Sequence, residues 1–198
     1  MIKELQDLDH RLTRRAAERI PPAAGGLLSA LEASAQHSKL WCGTALLLAT
    51  AQGRRGRKAA AAGMAALAVA QLLSNAVCKQ LADRPRPPRH WFAHDKVNDR
   101  PDSSSFPSGH TAAAVAFTAA IAPVAPLAGA LCTLPAGLVA VERVHSGAHY
   151  PSDVLAGAVI GVISAGLVHG AARAVRGRLE LLMHHGRVSV SGVCGRLL

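Results

Sequence analysis

The stretch AAAAGMAALAVAQLLSNAVCKQL, residues 59–81, decides the fold class. It is long enough to cross a bilayer core, which takes about 20 residues, and it carries few polar groups. The rest of the composition agrees. Half of the 198 residues are hydrophobic, yet only 3% are aromatic, and the apolar content is mostly Ala, Leu, Val and Gly. Soluble cores fill their volume with Phe, Tyr and bulky aliphatics. Membrane helices can instead pack through small residues that let backbones approach.

Working outward, the run 40–51 is short for a span, but extends back to about Ala33. A third apolar helix starts near Gly109 and stops at Pro123. A turn over 122–126 leads to a fourth helix at 127–141, and a fifth covers 154–168 with Gly157 and Gly161 at a spacing that favours close packing. Near the N-terminus, Leu5, Leu8 and Leu12 recur at helical spacing among Lys3, Arg11, Arg14 and Arg15. That is the pattern of an amphipathic helix on a membrane surface, with an ordinary solvated helix as the alternative. It lacks the apolar core of a cleavable signal peptide. The expectation is an all-α integral membrane bundle of about five transmembrane helices plus an N-terminal amphipathic helix. An amphipathic segment (1–36) precedes a transmembrane core (37–172) and a basic, peripheral tail (173–198).

The formal net charge is +10, which invites a nucleic-acid reading. The basic residues instead fall between apolar runs, at Arg54, Arg55, Arg57 and Lys58 and at Arg173, Arg176 and Arg178, as charges flanking membrane segments do. Nucleic-acid motifs and the aromatics for stacking are missing, so no nucleic-acid partner is expected. Cys42, Cys78, Cys132 and Cys194 are scattered and read as small buried hydrophobes. With the 54–58 cluster on the cytoplasmic side, the polar loops 82–106 and 142–152 both face outward. That these two loops share a side depends only on the span count between them.

Those loops carry three constellations. The first is Lys79 with Arg86-Pro87, the second Pro107-Ser108-Gly109-His110, and the third Arg143, His149 and Asp153. Lys79, Arg86 and Arg143 are cationic donors, the arginines in a planar fork that suits phosphate. Ser108 and Gly109 open a helix, where free N–H groups can point at an anion. Imidazoles titrate near neutrality, so of His110 and His149 one can attack while the other donates a proton. Asp153, four residues after His149 at a helix start, can hold one ring nitrogen as a donor. Each element alone has a bland reading, as a helix cap, a snorkelling anchor or a structural pair. Their joint occurrence on one membrane face argues for a phosphate site. His145 is a possible lining residue, and His184 and His185 read as solvated.

The three constellations resemble the signatures of the type 2 phosphatidic acid phosphatase (PAP2) family, related to vanadium-dependent haloperoxidases. Lys79 with Arg86-Pro87 matches the first, residues 107–110 match the second in full, and Arg143, His149 and Asp153 match the third, with Glu142 where the family has serine. The resemblance implies a haloperoxidase-like helical core. It implies His149 as nucleophile, Asp153 as its orienting partner and His110 as general acid. Lys79, Arg86, Ser108, Gly109 and Arg143 would bind the phosphate. It also implies a lipid phosphatase with a phosphohistidine intermediate and no metal or cofactor, in keeping with the lack of a carboxylate-rich metal site. Its partners would be a lipid phosphate and the bilayer, in the plasma membrane with an extracytoplasmic site. In detail the chain is similar to small actinobacterial members, some of which resemble phosphatases of polyprenyl-phosphoryl-phosphoribose. Competing classes are a haloperoxidase, against which the long apolar helices argue, and a non-catalytic binder of anionic lipid, which would need only the cations.

Overall fold

The computed structural model describes residues 2–19, 22–92, 100 and 102–194, and among these there is no strand. Helix α1 (Ile2–Arg19) is followed by α2 (Pro22–Ala35), a 3₁₀ turn (Gln36–Ser38) and α3 (Lys39–Ala51). Helix α4 (Gly53–Leu81) is π-helical over Leu72–Cys78. After a polar loop come α5 (Gly109–Ile121), α6 (Pro126–His145) and α7 (Pro151–Cys194). Helices α4 and α6, and Pro151–Met183 of α7, are long and apolar enough to cross a membrane; α5 is a shorter apolar helix. The chain is an all-α integral membrane bundle.

Helix α5 is its axis, with residues buried on every face. Two glycines explain how α7 comes so close. A Cβ at Gly157 would lie 2.4 Å from the Ser108 carbonyl oxygen, and one at Gly161 would lie 2.8 Å from that of Ala112. The small-residue spacing expected from the sequence is therefore the α5–α7 contact. Across α5, the ring of Trp41 sits 5.3 Å from that of Phe117, and Gly63 admits α4 against Phe117 and Ile121. Lipid tails are as apolar as these side chains, so dense dispersion contact, more than water exclusion, holds the bundle.

The helix α1 turns its polar side inward. Leu5, Leu8 and Leu12 are exposed, whereas Asp9 and Thr13 are buried. A leucine stripe pointing away from the protein suits a helix lying at a membrane surface. Between α2 and α3, His37 and Ser38 adopt φ of 51° and 60°, left-handed values that break the helical path. The two short helices together lead from the α1 end of the bundle to the opposite end, where Arg55 Nε donates to the Val124 carbonyl at 2.6 Å. That bond joins the α3–α4 turn to the α5–α6 turn. At the other end the two polar loops interlock, Arg86 donating to the Ala148 carbonyl at 2.7 Å and Arg84 to the Ser152 hydroxyl at 2.7 Å.

Two expectations need correction. The last helix does not stop at Val168 but continues to Cys194, so the boundary at 172/173 falls inside one helix. Arg173, Arg176 and Arg178 end the apolar surface, but arginine is a good helix former and does not end the helix. Of the cysteines, Cys132 is buried, Cys78 half-buried and Cys42 exposed, and all three are free. The side chains of His184, His185 and Cys194 lie outside the described residues.

Candidate active site

At the α1 end, a cavity of about 100 Å³ is lined by Gln71, Asn75, Lys79, Arg86, Gly109, His110, Arg143, Ala148 and His149. A water takes a share of about 30 Å³ of liquid, so this space takes a phosphoryl group and leaves a lipid body outside. Residues from all three constellations meet there.

Local structure explains each placement. The π-helical stretch of α4 precedes Lys79, and such bulges frequently mark functional sites. Asn75 Oδ1 stands 2.9 Å from where a Gly109 Cβ would be, so only glycine fits this side of α5. Arg143 occupies the last turn of α6, and the chain then reverses at Gly147. Gly147 has φ of 67°, and a Cβ there would meet the Phe92 ring at 2.6 Å. The reversal brings the His149 N–H to the Arg143 carbonyl at 3.0 Å, which sets the imidazole beside the guanidinium.

His149 is only 3% exposed. Its Nδ1 lies 2.5 Å from the Ser105 carbonyl oxygen. A carbonyl can only accept, so Nδ1 carries the proton and Nε2 keeps the lone pair. The sequence suggested Asp153 as the direct hydrogen-bond partner, but its carboxylate stands 4.0 Å from Nδ1. Asp153 Oδ2 instead accepts the Tyr150 N–H at 2.9 Å, and Oδ1 accepts Arg84 at 2.5 Å. Ser108 departs from expectation too. It is fully buried and does not line the cavity. Its hydroxyl caps α5 against Thr111, and its N–H donates to the Asp153 backbone carbonyl at 3.0 Å. The N–H expected to be free for phosphate is thus taken by inter-helix bonding, and the hydroxyl by the helix cap. His145 does not line the cavity either. Glu142 is buried and turned onto its neighbour, its carboxylate accepting Arg143 Nε at 2.5 Å and pairing with Nη2.

Sequence reading missed Asp9, Arg84, Ser105, Gln71 and Asn75. The first three meet through long-range contacts that no local spacing announces. Gln71 and Asn75 were visible as polar residues inside an apolar helix, four apart and four before Lys79. Such residues are costly in a membrane and usually face the bundle interior.

The site is crowded with positive charge. Burial first, then Arg86, with smaller effects from Arg143 and Lys79, holds the His149 imidazole well below 6.5, and the Ser105 carbonyl only partly opposes them. Burial, then Arg100 and Arg143, lower Arg86 from its ordinary value. Like charges gathered in a small cavity favour an anion among them. A testable consequence concerns acid. A histidine whose pKa is depressed stays neutral as pH falls through 6.5, so the acid limb of kcat/KM is expected well below that value. The folded state gives up stability over the same window, because the unfolded imidazole takes the proton first. An acid midpoint at or above 6.5, measured with a substrate already ionised there, would contradict the charge arrangement.

The sequence profile of the PAP2 superfamily matches residues 59–176. The chain is 37% identical over 139 residues to the decaprenylphosphoryl-5-phosphoribose phosphatase of Mycobacterium tuberculosis, an alignment spanning 67% of this chain and 72% of that protein. Two crystal structures share the fold. The first transmembrane PAP2 type phosphatidylglycerolphosphate phosphatase from Bacillus subtilis superposes with a TM-score of 0.67 at 21% identity, covering 87% of this chain and 88% of its own. Aquifex aeolicus LpxE gives 0.62 at 22% identity, covering 81% and 93%.

Proposed function

The chain belongs to the PAP2 superfamily, and from that premise we propose that its cavity hydrolyses a lipid phosphate through a phosphohistidine on His149. The observation that carries this reading is the single small cavity shared by two imidazoles and three cationic side chains. Lys79, Arg86 and Arg143, with N–H groups at the start of α5 near Gly109, hold the phosphoryl oxygens. His149 Nε2 attacks phosphorus as the bond to the lipid oxygen breaks, and His110 gives that oxygen its proton. Water then attacks the phosphohistidine, His110 takes a proton from it, and the P–N bond breaks to release phosphate. Asp153 acts on His149 through its charge and by fixing the start of α7. Ser108 supports the site by capping α5. A cavity lined by cations and imidazoles, with no carboxylate among its lining residues, is built for an anion, and turnover without a divalent metal follows from it.

The substrate class is a phosphomonoester or diphosphate of a phospholipid or polyprenyl lipid. One observation favours a finer choice. Gln71 and Asn75 put neutral amides beside the cations, Asn75 Nδ2 donating to Gln71 Oε1. Amides suit sugar hydroxyls, and the mycobacterial relative is named for a polyprenyl phosphosugar. We therefore read a polyprenyl-phosphoryl-phosphoribose as the preferred substrate. We place the site on the outer face of the cell membrane. The test is phosphate release from a panel of lipid phosphates in detergent with EDTA present. Activity is expected to survive chelation, to be blocked by vanadate and to be highest on the phosphoribosyl lipid. Strict dependence on added magnesium would rule out the mechanism, and equal rates across the panel would remove the finer choice.

A further inference from the structure

The α1 helix contributes a carboxylate to the catalytic end, although it lies outside the segment that matches the family. Asp9 is 2% exposed. Its Oδ1 accepts the Ser152 N–H at 3.0 Å, and its Oδ2 accepts the Ser152 hydroxyl at 2.5 Å and Arg84 Nη2 at 2.7 Å. Asp9 thus supplies from another helix the cap that α7 would otherwise need at its first turn. The Arg84 guanidinium reaches the other way, to Asp153 Oδ1 at 2.5 Å, and lies 4.4 Å over the Tyr150 ring. Asp153 in turn stands beside His149. Ring contacts seat α1 on the same loop, with His10 at 5.2 Å from Trp91 and Arg14 at 4.6 Å over it.

We propose that Asp9 is a positioning residue for the catalytic histidine. One carboxylate on α1 fixes Arg84 and the first turn of α7, and through them sets Asp153 against His149. The membrane-surface helix then belongs to the catalytic centre. Losing it would shift the nucleophile while leaving every phosphate-binding side chain in place. The physical warrant is geometric: small displacements of a reacting group can cost about a hundredfold in rate. Asp9 reaches no cavity-lining atom, so its effect falls on kcat and not on KM.

The inference rests on the phosphatase reading, and the test separates the two. The full chain in detergent is assayed on the lipid phosphate of the panel above that wild type turns over fastest, and vanadate affinity is measured by its protection against thermal unfolding. Asp9→Asn is expected to lower kcat about tenfold or more with KM within about twofold. Its effect should be non-additive with Arg84→Gln, since both break the same bridge. Vanadate, which needs the histidine in place for in-line bonding, should bind Asp9→Asn correspondingly more weakly. Wild-type kcat and wild-type vanadate affinity in Asp9→Asn would overturn the proposal. So would a KM rise with kcat unchanged, which would make Asp9 part of substrate binding. Should Asp9→Asn fail to fold, Ser152→Ala removes only the hydroxyl shared by Asp9 and Arg84; it must show the same kcat loss in smaller degree, and identity with wild type would overturn the proposal equally. A wild type inactive on every lipid phosphate would sink the phosphatase reading alone, and the vanadate comparison would still decide the role of Asp9.

Discussion

His149→Ala is expected to lower kcat by roughly ten-thousand-fold or more while the protein stays folded. The reaction loses its first step, because His149 Nε2 is the lone pair that the Ser105 carbonyl leaves free to attack, and His110 is committed to the leaving oxygen. Lys79, Arg86 and Arg143 would still clamp the phosphate and let water react slowly, which sets the residue of activity. KM should change little. Tm should fall modestly, because the substitution removes a buried imidazole and its hydrogen bond to the Ser105 carbonyl, typically about 1 kcal/mol. Rapid-quench labelling checks the mechanism directly. Wild type should accumulate an acid-labile phosphoenzyme, and His149→Ala should show none. A variant with undiminished turnover would end the assignment of the nucleophile.

The second large effect belongs to Arg143. Its guanidinium lines the cavity and also meets the buried Glu142 carboxylate. Arg143→Leu removes a phosphate ligand and takes from Glu142 the cation it touches. Breaking a buried ion pair from one side typically costs about 3–5 kcal/mol, so both a large activity loss and a marked fall in Tm are expected. Arg86→Leu, by contrast, should impair activity with a smaller fall in Tm. Glu142→Ser runs in the opposite direction for binding. It installs the family residue, frees the fork for the phosphate, and should tighten vanadate binding several-fold. Weaker vanadate binding in Glu142→Ser would show that the carboxylate organises the fork and does not compete for it.

Three of the five expected spans, in α4, α6 and α7, and the shared side of the two polar loops were legible in the sequence, because hydropathy is local and additive; the expected first and third are helices of 13 residues each. The residues of the cavity were legible because their types and spacing recur as signatures. What carried those side chains into register was not. Ser105 holds the His149 tautomer through a backbone carbonyl, and any residue could supply that group. Arg84 was one arginine among several in a basic loop. Asp9 looked like one charge on an amphipathic helix, and its burial depends on α1 docking against α7. The continuation of α7 past Val168 was missed for a related reason: hydropathy reports where lipid ends, not where a backbone stops coiling.

The brevity of α5 has its own consequence. At about 1.5 Å per residue its 13 residues span about 20 Å, against a hydrocarbon layer of about 30 Å. A rod that short cannot reach both boundaries of the layer: its His110 end stands level with the first turn of α7, the Ser108 N–H reaching the Asp153 carbonyl, and α7 runs on past its other end. The catalytic end therefore keeps its place beside the polar loops, and the thickness left over on the far side is crossed by α4, α6 and α7 without α5.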